Sequence, residues 1–117
     1  MGRIAAGLPT ISKRADFLAA NRGWRAPMPG FVLLVRPRGD TDATIRAGFT
    51  VTKKIGNSVV RNRLKRRLRA LARDVLPAAG IAGADHVLIG RDGGLTRDYA
   101  ALDADLRKAL AKCSANC

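Results

Sequence analysis

Glutamate is absent from this 117-residue chain, and histidine occurs once, as His86. The acids are nine aspartates scattered from Asp16 to Asp105, with no spacing that suits a two-metal site. His86 lies in a stretch of strand character and reads as a packed or capping residue. No pattern of groups that move protons, attack or hold a metal is legible, which argues against self-contained catalysis. The RDGG at 91–94 does not supply the G-x-x-x-x-G-K-[ST] phosphate cradle. Cys113 and Cys117 are the only cysteines, one helical turn apart and far from His86. They would fill at most half a zinc shell and read as part of a frayed tail.

Long apolar runs are missing too. None approaches the roughly 20 residues needed to span a bilayer. The opening MGRIAAGLPTISKR is too briefly apolar for a signal peptide, being broken by Gly7 and Pro9, and it lacks the Ser or Thr of a myristoylation signal. Aromatic residues are scarce, and the most basic helical stretch carries only aliphatics on its apolar side, unlike a membrane-surface helix. The expectation is a cytoplasmic protein with no membrane partner.

What the chain has is positive charge. Lys and Arg number 22 against 9 acids, a net charge of +13. A single compact domain this cationic repels itself unless a polyanion intervenes, and nucleic acid is the usual one. No carboxylate lies between Asp42 and Asp74, the interval that holds KKIGNSVVRNRLKRRLRALAR at 53–73. On a 3.6-residue wheel Val60, Leu68, Leu71 and Val75 fall within about 40° of Leu64, a narrow apolar stripe. Arg61, Asn62, Lys65, Arg66, Arg69 and Arg73 sweep round one flank to the far side, and Arg63 and Arg67 occupy the other. The spacing predicts a helix capped by Asn57 or Ser58, running to about Leu76 and stopped by Pro77, Gly80 and Gly83. Like charges four apart cost an isolated helix roughly 0.2–0.5 kcal/mol per pair, so a buried seam must outweigh them.

Around that helix, Thr10 or Ser12 is expected to cap a short helix ending near Asn21. Residues 24–30, WRAPMPG, read as a linker or a short edge strand. FVLLVR at 31–36 is an apolar run of strand length, closed by Pro37 and a polar turn. In RAGFTVT at 46–52, Ala47, Phe49 and Val51 alternate with Arg46, Gly48, Thr50 and Thr52, so one face is core and the other is polar and small. Gly48 weakens a strand unless something approaches its backbone closely. DHVLIGR at 85–91 is another buried-type strand. Thr96 is placed to cap a last helix, with Asp98 in its first turn and a stripe of Tyr99, Leu102, Leu106, Leu110 and Cys113. The result is one domain over 1–117, with tails at 1–9 and 114–117 expected to be disordered. Its class is α+β, a two-layer sandwich with a small mixed sheet in α-β-β-α-β-α order, and the strands flanking the basic helix are parallel neighbours.

The stretch RAGFTVTKKIGNSVVRNRLKRRLR at 46–69 resembles the signature of the bacterial ribonuclease P protein subunit. An RNR motif stands at Arg61-Asn62-Arg63, followed by Lys65-Arg66 and Arg69. The lead-in matches at Gly48, Lys53, Lys54, Gly56 and Asn57, and RADF at 14–17 and FVL at 31–33 agree as well. The resemblance covers nearly the whole chain. It implies a left-handed crossover between the parallel strands, against the usual hand. It also implies a role without protein chemistry. A catalytic ribonuclease P RNA with Mg²⁺, held mainly by RNA and substrate, cuts precursor tRNA to free its mature 5′ end. The protein binds that RNA and the single-stranded 5′ leader.

By that resemblance Lys53, Lys54, Arg61, Asn62, Arg63, Lys65, Arg66, Arg69 and Arg73 form the RNA-binding set. The arginines are suited to paired hydrogen bonds with phosphate. Asn62 either bonds RNA or is plain helix surface. A leader cleft is implied over the polar sheet face, with Phe17, Leu34, Arg46, Thr50 and Thr52. Phe17 either stacks on a base or packs in the core. The family often has further aromatics where this chain reads Ala20 or Asn21, and Leu34. Trp24 fits neither set: it is a core anchor or a flanking RNA contact. A structural RNA-binding protein, such as a ribosomal component, is the alternative. A DNA-binding helix-turn-helix is disfavoured, because a strand rather than a helix precedes the basic stretch.

Overall fold

A computed structural model describes residues 8–39 and 41–115. The chain runs through α1 (Arg14–Ala20), β1 (Trp24–Pro27), β2 (Phe31–Pro37), β3 (Arg46–Thr50), α2 (Ser58–Ala79), β4 (Ala84–Gly90) and α3 (Tyr99–Ala115). The α+β class holds, and of the two readings of 24–30 the edge strand is the one adopted. Pro27 sits at the end of β1, where a missing N–H costs least, and the Met28 N–H donates to Phe31 O at 2.7 Å to close the hairpin.

The sheet order is β1-β2-β4-β3. β2 is antiparallel to both its neighbours. β3 and β4 are parallel, with Arg46 opposite Asp85 and Thr50 opposite Ile89, as expected of strands joined through a helix. β2 and β4 are central and bury most side chains of both faces, which is why they read as continuous apolar runs. One face packs Phe31, Leu33, Val35 and Leu88 against Leu64, Leu68, Leu71 and Val75 of α2 and Leu102, Leu106 and Leu110 of α3. Val32, Leu34 and Val87 of the other face meet Ile11, Phe17 and Ala20. Because α1 is only seven residues long, it covers part of that second face and leaves the rest open.

Several ends differ from expectation. Neither Thr10 nor Ser12 caps α1. Lys13 holds the cap position without a side-chain bond, and Thr10 instead bridges in parallel to Ala47 at the outer edge of β3. Leu8 packs on the core, and Pro9 O accepts from the Ala47 N–H at 3.0 Å. Ser114 and Ala115 belong to the last turn of α3, and Cys113 is buried beneath it. The expected tails are therefore ordered at these residues, while 1–7, 116 and Cys117 lie outside the described ones. α2 continues three residues past Leu76, since an exposed Pro77 in its final turn forfeits only one hydrogen bond. Its start is as expected: Asn57 Oδ1 accepts from the Val60 N–H at 3.0 Å. α3 begins at Tyr99, so Thr96 lies before it as the end of a short 3₁₀ turn, and Asp98 O accepts from the Leu102 N–H.

His86 is fully buried and packs as a loop clasp, as its strand position suggested. Ile81 N–H donates to its Nε2 at 3.0 Å, leaving Nδ1–H to donate to Arg46 O at 3.2 Å. Burial pushes its pKa down to about 4, so the ring is neutral at pH 7.

Candidate nucleic-acid interface

The cations of the chain sort into two populations. Asp85, wholly buried, gathers the first. Arg46 grips it with Nε–Oδ1 and Nη2–Oδ2 both at 2.7 Å, Arg38 adds Nη1–Oδ1 at 2.9 Å, and Arg36 stands at 3.8 Å. Burial pushes the carboxyl up, but the hydrogen bonds from Arg46 and Arg38 outweigh it and hold Asp85 below the usual carboxylate range. Arg97 pairs with Asp105 at 2.6 Å and Arg107 with Asp103 at 2.7 Å. Arg67 spans from α2 to the loop before α3, donating to Leu95 O at 2.9 Å and Arg97 O at 2.6 Å.

The second population is the predicted set on and before α2. Among the described residues, Lys53, Lys54, Arg61, Arg63, Lys65, Arg66, Arg69 and Arg73 make no ion pair. Arg63, Arg66, Arg69, Arg73 and Asn62 are exposed, as are Lys53 and Lys54 in the 3₁₀ turn leading into the helix. Arg61 and Lys65 are half-buried, and the Arg61 Nε is a buried donor with no partner. The Arg69 guanidinium stands 6.0 Å from the centroid of the Phe49 ring, at the reach of a cation–π contact. α2 therefore presents a row of unneutralised donors on a rigid helix whose other side is fixed by the core. The positive end of the helix dipole adds to the field around Lys53 and Lys54.

Beside this row, the uncovered part of the sheet forms a groove of about 520 Å³. Its floor is Leu34, Val87, Ile89 and Thr50, and Thr52 stands at its end. α1 supplies the wall with Arg14, Phe17, Leu18 and Asn21, and Ser12 closes the near side. A second hollow of about 460 Å³ shares Ser12, Phe17 and Thr50 with the first and adds Phe49, Lys65 and Arg69. The two make one trough that passes from an apolar floor round the β3 edge to the cations of α2.

Of the expected cleft residues, Phe17, Leu34, Thr50 and Thr52 line this trough. Arg46 does not. It faces the same side of the sheet, but its fork is taken by Asp85, and its Nη2 lies 3.6 Å from Asp16 on α1. Arg46 thus ties the wall to the floor from beyond the end of the groove. Phe17 is half-buried, packed on Ile11 and Gly48 yet open along the trough. Trp24 packs against the main core from β1.

The sequence profile of the family described as Ribonuclease P matches residues 9–114. The ribonuclease P protein component of Erythrobacter litoralis is 58% identical over 100 residues, 86% of this chain and 81% of that one. That of Gluconacetobacter diazotrophicus is 53% identical over 103 residues, 87% of this chain and 88% of its own. The solved RNase P protein from Thermotoga maritima superposes with a TM-score of 0.72 at 28% identity, covering 88% of this chain and 96% of the other. The Staphylococcus aureus RNase P protein gives 0.71 at 28%, covering 88% and 93%.

The chain belongs to the ribonuclease P protein family. Its RNR block, Arg61-Asn62-Arg63, occupies the second turn of α2, and the lead-in Gly48-to-Asn57 forms β3, the 3₁₀ turn and the helix cap. Sequence reasoning missed Ser12, Arg14, Leu18, Asn21, Val87 and Ile89. Arg14, Leu18 and Asn21 recur at four- and three-residue spacing with Phe17 beside them, a single helical face that was legible in principle. Where the family often has a second aromatic on α1, Asn21 is the residue that lines the trough, while Ala20 is buried beneath it. Among the described residues no helix is long and apolar enough to cross a membrane.

Proposed function

We propose that this chain acts as the protein subunit of a ribonuclease P ribonucleoprotein in the cytoplasm, binding its catalytic RNA and the 5′ leader of precursor tRNA. The observation that carries this is the continuity of the trough with the unpaired cations of α2 through Lys65 and Arg69. A structural RNA binder needs the cations but has no use for an apolar-floored groove leading into them.

Arg61, Arg63, Lys65, Arg66, Arg69 and Arg73, with Lys53 and Lys54, bind phosphates of the catalytic RNA, and Asn62 adds a neutral amide among them. The trough takes the extended single-stranded leader. Phe17 offers an aromatic edge, Leu34, Val87 and Ile89 offer apolar contact, and Thr50 and Thr52 offer hydroxyls. With no second aromatic on the wall, binding rests more on van der Waals contact and charge than on stacking. Mg²⁺ belongs to the RNA and the scissile phosphodiester in this reading. Among the described residues, no three His, Cys, Asp or Glu side chains gather into a metal-holding group. Asp85, the one buried acid among the described residues, is committed to arginines.

The test is reconstitution. The purified protein leaves precursor tRNA uncut, and adding a cognate catalytic RNA at low Mg²⁺ restores cleavage at the mature 5′ end. Cleavage by the protein alone, or no gain over the RNA alone, overturns the reading.

A further inference from the structure

The strand register lays out the sheet face beside α1 in two rows. Thr50, Ile89, Val32 and Pro27 lie side by side across β3, β4, β2 and β1, and Gly48, Val87, Leu34 and Arg25 form the row next to them. Trp24 and Ala26 pack on the opposite face with α2 and α3, which puts Arg25 and Pro27 on this one. The trough takes its floor from Thr50, Ile89, Val87 and Leu34. The apolar surface continues past them. Val32 and then an exposed Pro27 carry it to the free edge of β1, two strand spacings or about 10 Å beyond Ile89.

Two arginines flank this shelf. Arg25 is exposed on β1, opposite Leu34. Gly90 faces Leu64 of α2, so the extended backbone at Arg91 returns its side chain to the side of Val87 and Ile89. The Arg91 Nη1 donates to Met28 O at 3.1 Å, which holds that guanidinium at the turn between β1 and β2. Met28 is three residues, or about 10 Å, along the chain from Arg25. Among the described residues neither Arg25 nor Arg91 makes an ion pair, so both charges are uncompensated. Pro27 offers no N–H to an added protein strand, and two cations beside a flat apolar surface suit phosphates and bases instead.

We propose that Arg25 and Arg91, with the shelf of Val32 and Pro27 between them, bind two phosphates of the leader upstream of the nucleotides in the trough. The proposal rests on the leader-binding reading above. In that reading the catalytic RNA sits on α2, at the β3 end of the trough, so the leader runs in its 5′ direction toward β1.

Precursor tRNAs with leaders shortened stepwise from the 5′ end are titrated against the protein–catalytic RNA complex at several salt concentrations. The slope of log affinity against log salt is steeper by about 1.4 for a long leader than for one that ends within the trough, about 0.7 for each phosphate bound. Arg25→Ala and Arg91→Ala each remove about 0.7 from the long-leader slope and leave the short-leader slope and the affinity for catalytic RNA unchanged. Arg25→Lys, which keeps the charge, retains most of the slope. Arg25 is exposed and makes no side-chain bond, so its two variants decide the matter if Arg91→Ala, which also loses the bond to Met28 O, fails to fold. A slope that ignores leader length beyond the trough, a long-leader slope that survives Arg25→Ala, or an equal loss with the short leader each overturns the proposal. Preference for short-leader precursor over mature tRNA tests the trough separately, so failure at Arg25 is distinguishable from failure of the leader reading itself.

Discussion

The ring of Phe17 rests directly on the backbone of Gly48: a β-carbon on Gly48 would meet Cε1 at 2.8 Å and Cζ at 3.0 Å. Glycine lets the short helix α1 sit low on the sheet, and Phe17 thereby becomes both wall and anchor of the trough. Gly48→Ala forces the ring and Ile11 aside, costing about 1–3 kcal/mol in denaturant unfolding. Phe17→Ala, at a half-buried position, costs about 1–2 kcal/mol. Its distinctive effect is a reduced preference for precursor over mature tRNA, measured by equilibrium binding. Unchanged discrimination would make Phe17 a packing residue only.

Arg66 and Arg67 are neighbours with opposite roles. Arg66 is exposed and unpaired among the described residues, so Arg66→Ala leaves stability nearly unchanged. It flattens the slope of log affinity against log salt by about 0.7–0.9 for the lost phosphate contact. Arg61→Ala shows the same slope change. Arg67→Ala removes two hydrogen bonds to Leu95 O and Arg97 O and costs about 1.5–3 kcal/mol of stability. Its salt slope stays at the wild-type value.

Asp85→Asn removes the buried carboxylate that Arg46 and Arg38 share, and the loss is about 3 kcal/mol, discounted for the partial exposure of Arg46. Because Arg46 also reaches Asp16, this variant loosens the trough wall. Precursor binding therefore weakens more than catalytic RNA binding does. Equal weakening of the two would remove Arg46 from any part in positioning α1.

His86 gives the fold a pH dependence with a definite sign. Its folded pKa of about 4 lies below the ordinary 6.5, so the unfolded chain takes up the proton more readily. The stability is fully present above pH 6.5 and is lost as pH falls towards 4, by up to about 3 kcal/mol. Urea titrations at pH 7 and pH 4.5 measure it. In His86→Asn, which keeps an acceptor and a donor, the difference between the two pH values shrinks, and a difference equal to wild type would assign the acid lability elsewhere.

What the sequence revealed divides along physical lines. The buried seam of α2, the Asn57 cap and the alternation in β3 rest on neighbours within a turn or two, and each stands where periodicity put it. Arg46 shows the limit. Alternation placed it correctly on the trough side of β3, but its partner Asp85 is 39 positions away, and only the parallel register of β3 and β4 brings them together. Arg67 is similar: nothing nearby distinguishes it from Arg66, since its acceptors are main-chain carbonyls in a distant loop. Within the stretches that read as tails, 1–9 and 114–117, nothing local marks Leu8, Pro9, Ser114 and Ala115 as part of the fold. Edge pairing with Ala47 and the pull of Cys113 into the core order them instead.

β4 lies between β2 and β3, so the two earlier strands have no bond to each other. As the polypeptide leaves the ribosome, α2 emerges before the strand that completes the surface on which its leucines pack. Until residue 90 is free, the leucines of α2 lack Leu88, and β2 and β3 lack the neighbour they share. Central placement of a late strand thus makes closure of both faces of the sheet wait on β4.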